Sequence, residues 1–112
     1  MKVYLVKSKD MDNNYSDEVM VAYNSLEKAE LKLKELMNRL YEDRFNFIQA
    51  AGFINYVDDH SFCEKDDIFM EKLEARYTQA NRVKNEIQEH YSRINLNILN
   101  VDYYIDELDV EE

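Results

Sequence analysis

With 112 residues, a formal charge of −10, one glycine and no proline, the chain has the length of one domain and few of the residues that break long helices. The charge argues against direct nucleic-acid binding, whose affinity comes from lysine and arginine neutralising phosphates, and leaves a basic partner or plain solubility as its meaning. The single cysteine, Cys63, excludes an internal disulfide and suits a reducing interior.

Residues 2–7 (KVYLVK) are apolar and rich in β-branched and aromatic types, which predicts a strand. A polar turn over 8–17 leads to a second predicted strand, 18–23 (EVMVAY), and the two most simply form an antiparallel hairpin. A long amphipathic helix is then expected over 25–51, with Leu26, Ala29, Leu33, Leu36, Met37, Leu40, Phe47, Ile48 and Ala51 on one face. Asn24 with Glu27 reads as its N-terminal cap, and Gly52 as its stop. Leu31 lies opposite the stripe, as a lone exposed side chain or a contact to a second layer. The next stretch, FINYVDDHSFCEKDD, reads as irregular, with a short helical turn or a packed loop, and with Phe53, Tyr56 and Phe62 interspersed among acids. A second helix is expected over 66–94, its stripe formed by Phe69, Leu73, Tyr77, Ala80, Val83, Ile87, Tyr91 and Ile94, with Asp66 and Asp67 at its positive end. The asparagines of NLNILN end it, a third strand covers 102–108, and an acidic tail follows.

The expected architecture is therefore α+β: one domain over 1–112, with a small, mainly antiparallel three-stranded sheet packed on two long antiparallel helices. The strand order does not follow from the sequence; if both helices are unbroken, the last strand runs parallel to the first and antiparallel to the second, which favours the order 1-2-3. The apolar run near the N-terminus is too short for a signal peptide or membrane span, so a cytoplasmic location without membrane contact is expected.

The opening KVYLV, the segment VAYNSLEKAELKLKEL and the closing YYIDELDVEE resemble a widespread class of small bacterial and phage proteins built β-β-α-β. Ser25, Glu27, Lys28, Ala29 and Glu30 match the start of that class's helix, and residues 104–108 its closing strand. The resemblance implies the strand order 2-1-3. The region 53–100 departs from the short form as a helical insertion. In size and acidity the chain is also similar to phage anti-CRISPR inhibitors, which implies binding to a basic host protein such as a CRISPR effector nuclease.

The sequence holds no glycine-rich phosphate loop and no G-x-S-x-G elbow. Its histidines are His60 and His90, so a metal or Cys/His site would need His60 and Cys63, with Asp58, Asp59 or Glu64. A structural zinc site takes four ligands and usually several cysteines, so no metal, cofactor or catalytic residue is expected, and His90 reads as a solvated surface residue. Asp106 and Glu107, adjacent on a strand, should point to opposite faces and form no acid–base pair.

Two surfaces remain as candidates. Asp58, Asp59, Glu64, Asp66, Asp67, Glu71 and Glu74 crowd the entrance of the second helix, with Tyr56 and Phe62 as aromatic anchors. They are expected to meet the basic groove of a partner, as an inhibitor of a nucleic-acid-binding protein would. The second face of the sheet, with Tyr4, Met20 and Tyr104, is expected to be a surface for self-association as a homodimer. The alternative functions are a self-associating accessory protein and a small metal-dependent enzyme.

Overall fold

The alternating apolar residues of the N-terminal third form two paired strands, β1 (Lys2–Asp10) and β2 (Glu18–Tyr23), in a computed structural model that describes residues 1–10, 17–60 and 66–111. The other edge of β1 carries β3 (Val101–Asp109), also antiparallel, so the sheet has the order β2-β1-β3. Two helices lie between the second and third strands: α1 (Leu26–Asp59) and α2 (Asp67–Arg93). The architecture is a three-stranded antiparallel sheet packed against two long antiparallel helices.

α1 starts one residue later than Asn24 and Glu27 suggest. Ser25 is the cap, in extended conformation, and its hydroxyl accepts from the Lys28 amide at 3.5 Å. Nor does the helix stop at Gly52, which has no positive φ and sits in mid-helix. Glycine in a helix interior costs about 1 kcal/mol against alanine. The apolar spacing continues past it through Phe53, Ile54 and Val57, and burying one such side chain contributes roughly 1.5–3 kcal/mol. Burial wins, and residues 53–59, read from the sequence as irregular, are helical.

The topology follows from the unequal lengths of the helices and from their offset, since Tyr77 is level with Asp58 and residues 67–76 of α2 lie beyond the end of α1. At ~1.5 Å per residue α1 is about 50 Å long. α2 comes back along only its distal half, because Tyr91 in the last turns of α2 stands level with Asp43 and donates to its carboxylate at 2.8 Å. The return therefore ends about 25 Å short of the start of α1. β3 begins there, beside Asp10, and runs back antiparallel to β1. The expected order 1-2-3 with a parallel last strand is overturned; the observed order is the one that the resemblance implies. The result is a rod with extents of 73 × 26 × 16 Å and a radius of gyration of 19.8 Å, where a compact chain of this length has about 13 Å.

The end of α2 is set by Asn95, which takes the left-handed conformation (φ 58) that asparagine tolerates better than other residues bearing a Cβ. The amide of Leu96 donates to the Tyr91 carbonyl at 2.8 Å and that of Asn95 to Ser92 at 3.1 Å, closing a Schellman motif. Arg44 of α1 then clamps the connection, donating to the carbonyls of Ile98 (3.1 Å) and Val101 (2.8 Å).

The core gathers where these elements meet: Leu40, Phe47, Tyr91, Leu96, Ile98, Val101 and Tyr103. Two members of the expected α1 stripe, Leu26 and Ile48, are exposed, while Ala50 and Ile54 are buried. For Ile48, Ala50 and Ile54 the reason is that the stripe follows α2 beyond the end of the sheet; Leu26 opens α1, where α2 does not reach. Leu31 is exposed, so among the described residues it is covered by no second layer.

On the sheet, Val6 and Ser8 are buried on the helix side, and their partners Ile105 and Tyr103 share that side. Tyr4, two residues from Val6, lies on the helix side too. This corrects its expected place beside Tyr104 on the outer face. Lys7 and Tyr104 pair on that outer face, where Lys7 also reaches Asp106 at 2.7 Å and Tyr104 donates to Asp17. Glu107 points the other way from Asp106, toward Lys2 at 2.8 Å.

Candidate functional site

The described carboxylates singled out in the sequence lie along the distal part of the α1–α2 hairpin. Asp58 and Asp59 close α1; Asp66, Asp67, Glu71 and Glu74 open α2; all six are exposed. The amphipathic pattern explains the place. Both helices turn their apolar stripes inward, so the acids between them point outward, and the helices outrun the sheet by roughly 20 Å.

These acids do not all do the same work. Asp66 is the cap of α2: its Oδ1 accepts from the Phe69 amide at 2.6 Å. Asp58 accepts from the Tyr77 hydroxyl at 2.9 Å and locks the two helices together, and that bond raises the Tyr77 phenol above its usual pKa. Asp59, Glu71 and Glu74 are exposed carboxylates outside those two structural bonds, and Asp67 faces the positive end of α2.

Apolar side chains lie among them. Ile68 and Met70 are exposed at the start of α2 beside Phe69. A groove of about 270 Å³ runs between Val57 and Asp58 on one wall and Met70, Leu73, Glu74 and Tyr77 on the other. Tyr56 is exposed and stacks on His60, with ring centroids 4.1 Å apart, while His60 Nδ1 donates to the Tyr56 carbonyl at 2.7 Å. Nearer the sheet, Arg76 of α2 lies over the Phe53 ring at 4.8 Å, a cation–π contact that pins the helices together.

The structure brings Asp58 beside Glu74 and Tyr77 in one groove, while Asp66, Asp67 and Glu71 lie about two to three turns nearer the start of α2 than Tyr77. Phe62, Cys63 and Glu64 lie outside the described residues. Sequence reading missed Ile68 and Met70; the signal was an apolar run, IFM, directly behind two aspartates at a helix start.

The expected self-association site does not form as one patch. Tyr4 faces the helix, whereas Tyr104 lies in the outer-face network with Lys7, Asp17 and Asp106, and Met20 is exposed on the edge strand. Each polar group of that network changes its neighbour: the hydrogen bond to Asp106 raises the Lys7 ammonium pKa, and that to Asp17 raises the Tyr104 phenol. His90 is exposed and edge-on to Tyr91 at 5.1 Å. Among the described residues, no three of His, Cys, Asp and Glu are placed to hold a metal ion, and no helix is long and apolar enough to cross a membrane. No protein-family model matches the chain, and no curated protein or solved structure matches it either.

Proposed function

We propose that this chain is a binding protein whose working surface is the distal end of the helical hairpin, and that it inhibits a basic, nucleic-acid-binding protein by filling the groove meant for phosphates. One observation carries the reading: exposed Asp67, Glu71 and Glu74 share the first turns of α2 with exposed Ile68 and Met70, and Met70 and Glu74 line an apolar groove closed by Val57 and Asp58 next to exposed Asp59, at the end of an arm held clear of the sheet. Carboxylates alone would suit solubility. Apolar side chains among them supply the desolvated centre that a specific interface needs, with the acids as its polar rim. The charge of −10 adds long-range attraction to a basic groove.

The test is displacement. Bacterial DNA-binding proteins are loaded on immobilised DNA and challenged with the purified chain, and the released proteins are identified by mass spectrometry. Release of one protein in stoichiometric amount is expected, and its absence with the Asp59→Lys, Glu71→Lys, Glu74→Lys variant. Release of nothing at molar excess, or equal release by the variant, refutes the reading. Asp58 and Asp66 stay unaltered because they hold the hairpin together.

A further inference from the structure

The face of α1 turned away from both α2 and the sheet carries a second pattern. Tyr41, Phe45, Ile48 and Gly52 follow one another at the four-three-four spacing of a coiled-coil seam, and continuing that spacing adds Lys34 and Asn38 before them and Asn55 and Asp59 after. Every one of these positions is exposed. Tyr41 is 57%, Phe45 60% and Ile48 55% exposed, which is unusual for large apolar side chains on one helix face. In a chain that is 34% charged, residues 45–57 include no charged side chain at all. Loss of charge around aromatic residues is the compositional mark of an interface core.

We infer that this seam pairs with the same seam of a second copy, α1 against α1 in antiparallel orientation about a two-fold axis. The argument is self-complementarity. An antiparallel coiled coil sets each first-type seam position against the second type of its partner, and one register satisfies every layer. In it, Phe45 meets Ile48 of the second copy, and Tyr41 lies over Gly52 of the second copy. A Cβ built at Gly52 would meet nothing within 4 Å, so the gap for that ring exists. Outside those layers, Asn38 meets Asn55, an amide pair able to bond reciprocally. Outside those again, Lys34 meets Asp59, opposite in charge. By symmetry each layer occurs twice.

The size is sufficient for a dimer of modest affinity. Covering the exposed parts of three large apolar side chains and the flanking polar ones removes on the order of 500 Å² per copy, or about 1,000 Å² in total, the lower bound for a specific interface. Net charge opposes pairing, since two copies at −10 each repel, and the uncharged stretch 45–57 keeps the local cost of contact low. Phe45, Ile48 and Gly52 are exposed, and the stretch from Leu99 to Asp102 borders the seam at Tyr41. This inference rests on the α1 seam and shares one residue, Asp59, with the surface proposed for the distal end of the hairpin; Phe45→Asp and Ile48→Asp leave Asp59 in place, so their effect on association separates the two readings.

Sedimentation of the full chain over a concentration series tests it. The wild type is expected to form dimers in the micromolar to millimolar range. Phe45→Asp and Ile48→Asp, both at exposed positions, are expected to give monomers with an unchanged helical spectrum. Lys34→Glu sets two acids against each other at both ends and is expected to weaken the dimer roughly three- to thirtyfold. Adding Asp59→Lys restores the opposite pair and the association. A wild type that stays monomeric at millimolar concentration overturns the inference and assigns the seam to a different occupant. A dimer that survives Ile48→Asp, or one for which the charge swap gives no rescue, overturns it as well.

Discussion

Replacing Tyr91 by phenylalanine probes the junction on which the topology turns. Tyr91 is 2% exposed, packs in the cluster with Phe47, Val101 and Tyr103, and donates to Asp43 Oδ2 at 2.8 Å. The phenylalanine ring keeps the packing and loses only the hydrogen bond. A bond to a charged acceptor contributes about 1.5–3 kcal/mol. Asp43 retains some solvent and Arg39 at 3.6 Å, so the lower end applies, and we expect a loss of about 1–2 kcal/mol. Urea unfolding should register this as a fall in midpoint of about 1 M at unchanged slope. The substitution also alters the response to alkali. Burial first, and then the Asp43 bond, hold the Tyr91 phenol far above its ordinary 10.0, and burial also raises Tyr103. A raised folded-state pKa gives stability that is complete below pH 10.0 and is lost above it, as the unfolded chain ionises first. The wild type should therefore lose stability above about pH 10, and Tyr91→Phe should lose it less steeply. An unchanged midpoint, together with an unchanged alkaline limb, would show that Tyr91 does not tie α2 to α1 at Asp43.

Three further substitutions follow from local geometry. Gly52→Ala should raise stability by about 0.5–1 kcal/mol in thermal melts, since its backbone is helical and the new methyl meets nothing within 4 Å; a loss of that size would mean that the helix ends there. Asn95→Val should lower stability by about 1–2 kcal/mol because a β-branched residue resists φ 58, while Asn95→Gly should be neutral or better; equal effects of the two in urea unfolding would remove the Schellman turn from the account. Ser8→Ala should be neutral or stabilising by up to about 1 kcal/mol, because the buried Ser8 Oγ has no hydrogen-bond partner among the described residues; a clear loss in the same assay would reveal one.

The strands, the α2 stripe and its asparagine-rich end are legible in the sequence because each is a local, repeated signal. Gly52 is not. As the chain's one glycine it reads as a stop, and only the burial of Ile54 and the partners of Phe53 and Val57 on α2 show why the helix passes through it. That residue bears on the topology: an α1 ending at 51 would match α2 in length, whereas an α1 reaching Asp59, with α2 starting beyond its end, leaves the return short, and β3 runs antiparallel to β1.

Tyr4 is misplaced by sequence reasoning for a similar reason, since alternation separates the faces of a strand but does not say which one a helix covers. The acidic cluster is legible as a place, at the entrance of α2, but not as a set of roles. Whether an aspartate caps a helix like Asp66, bonds a tyrosine like Asp58, or faces solvent like Asp59 depends on backbone and partners that spacing does not reveal.

The most direct test of the binding role is the affinity for the protein displaced from DNA, measured against salt for the wild type and for the Asp59→Lys, Glu71→Lys, Glu74→Lys variant. The account predicts that wild-type affinity falls steadily as salt rises, and that the variant, with an unchanged helical spectrum, binds about a hundredfold or more weakly at low salt. An affinity indifferent to salt, or a variant that binds as well as the wild type, would contradict it.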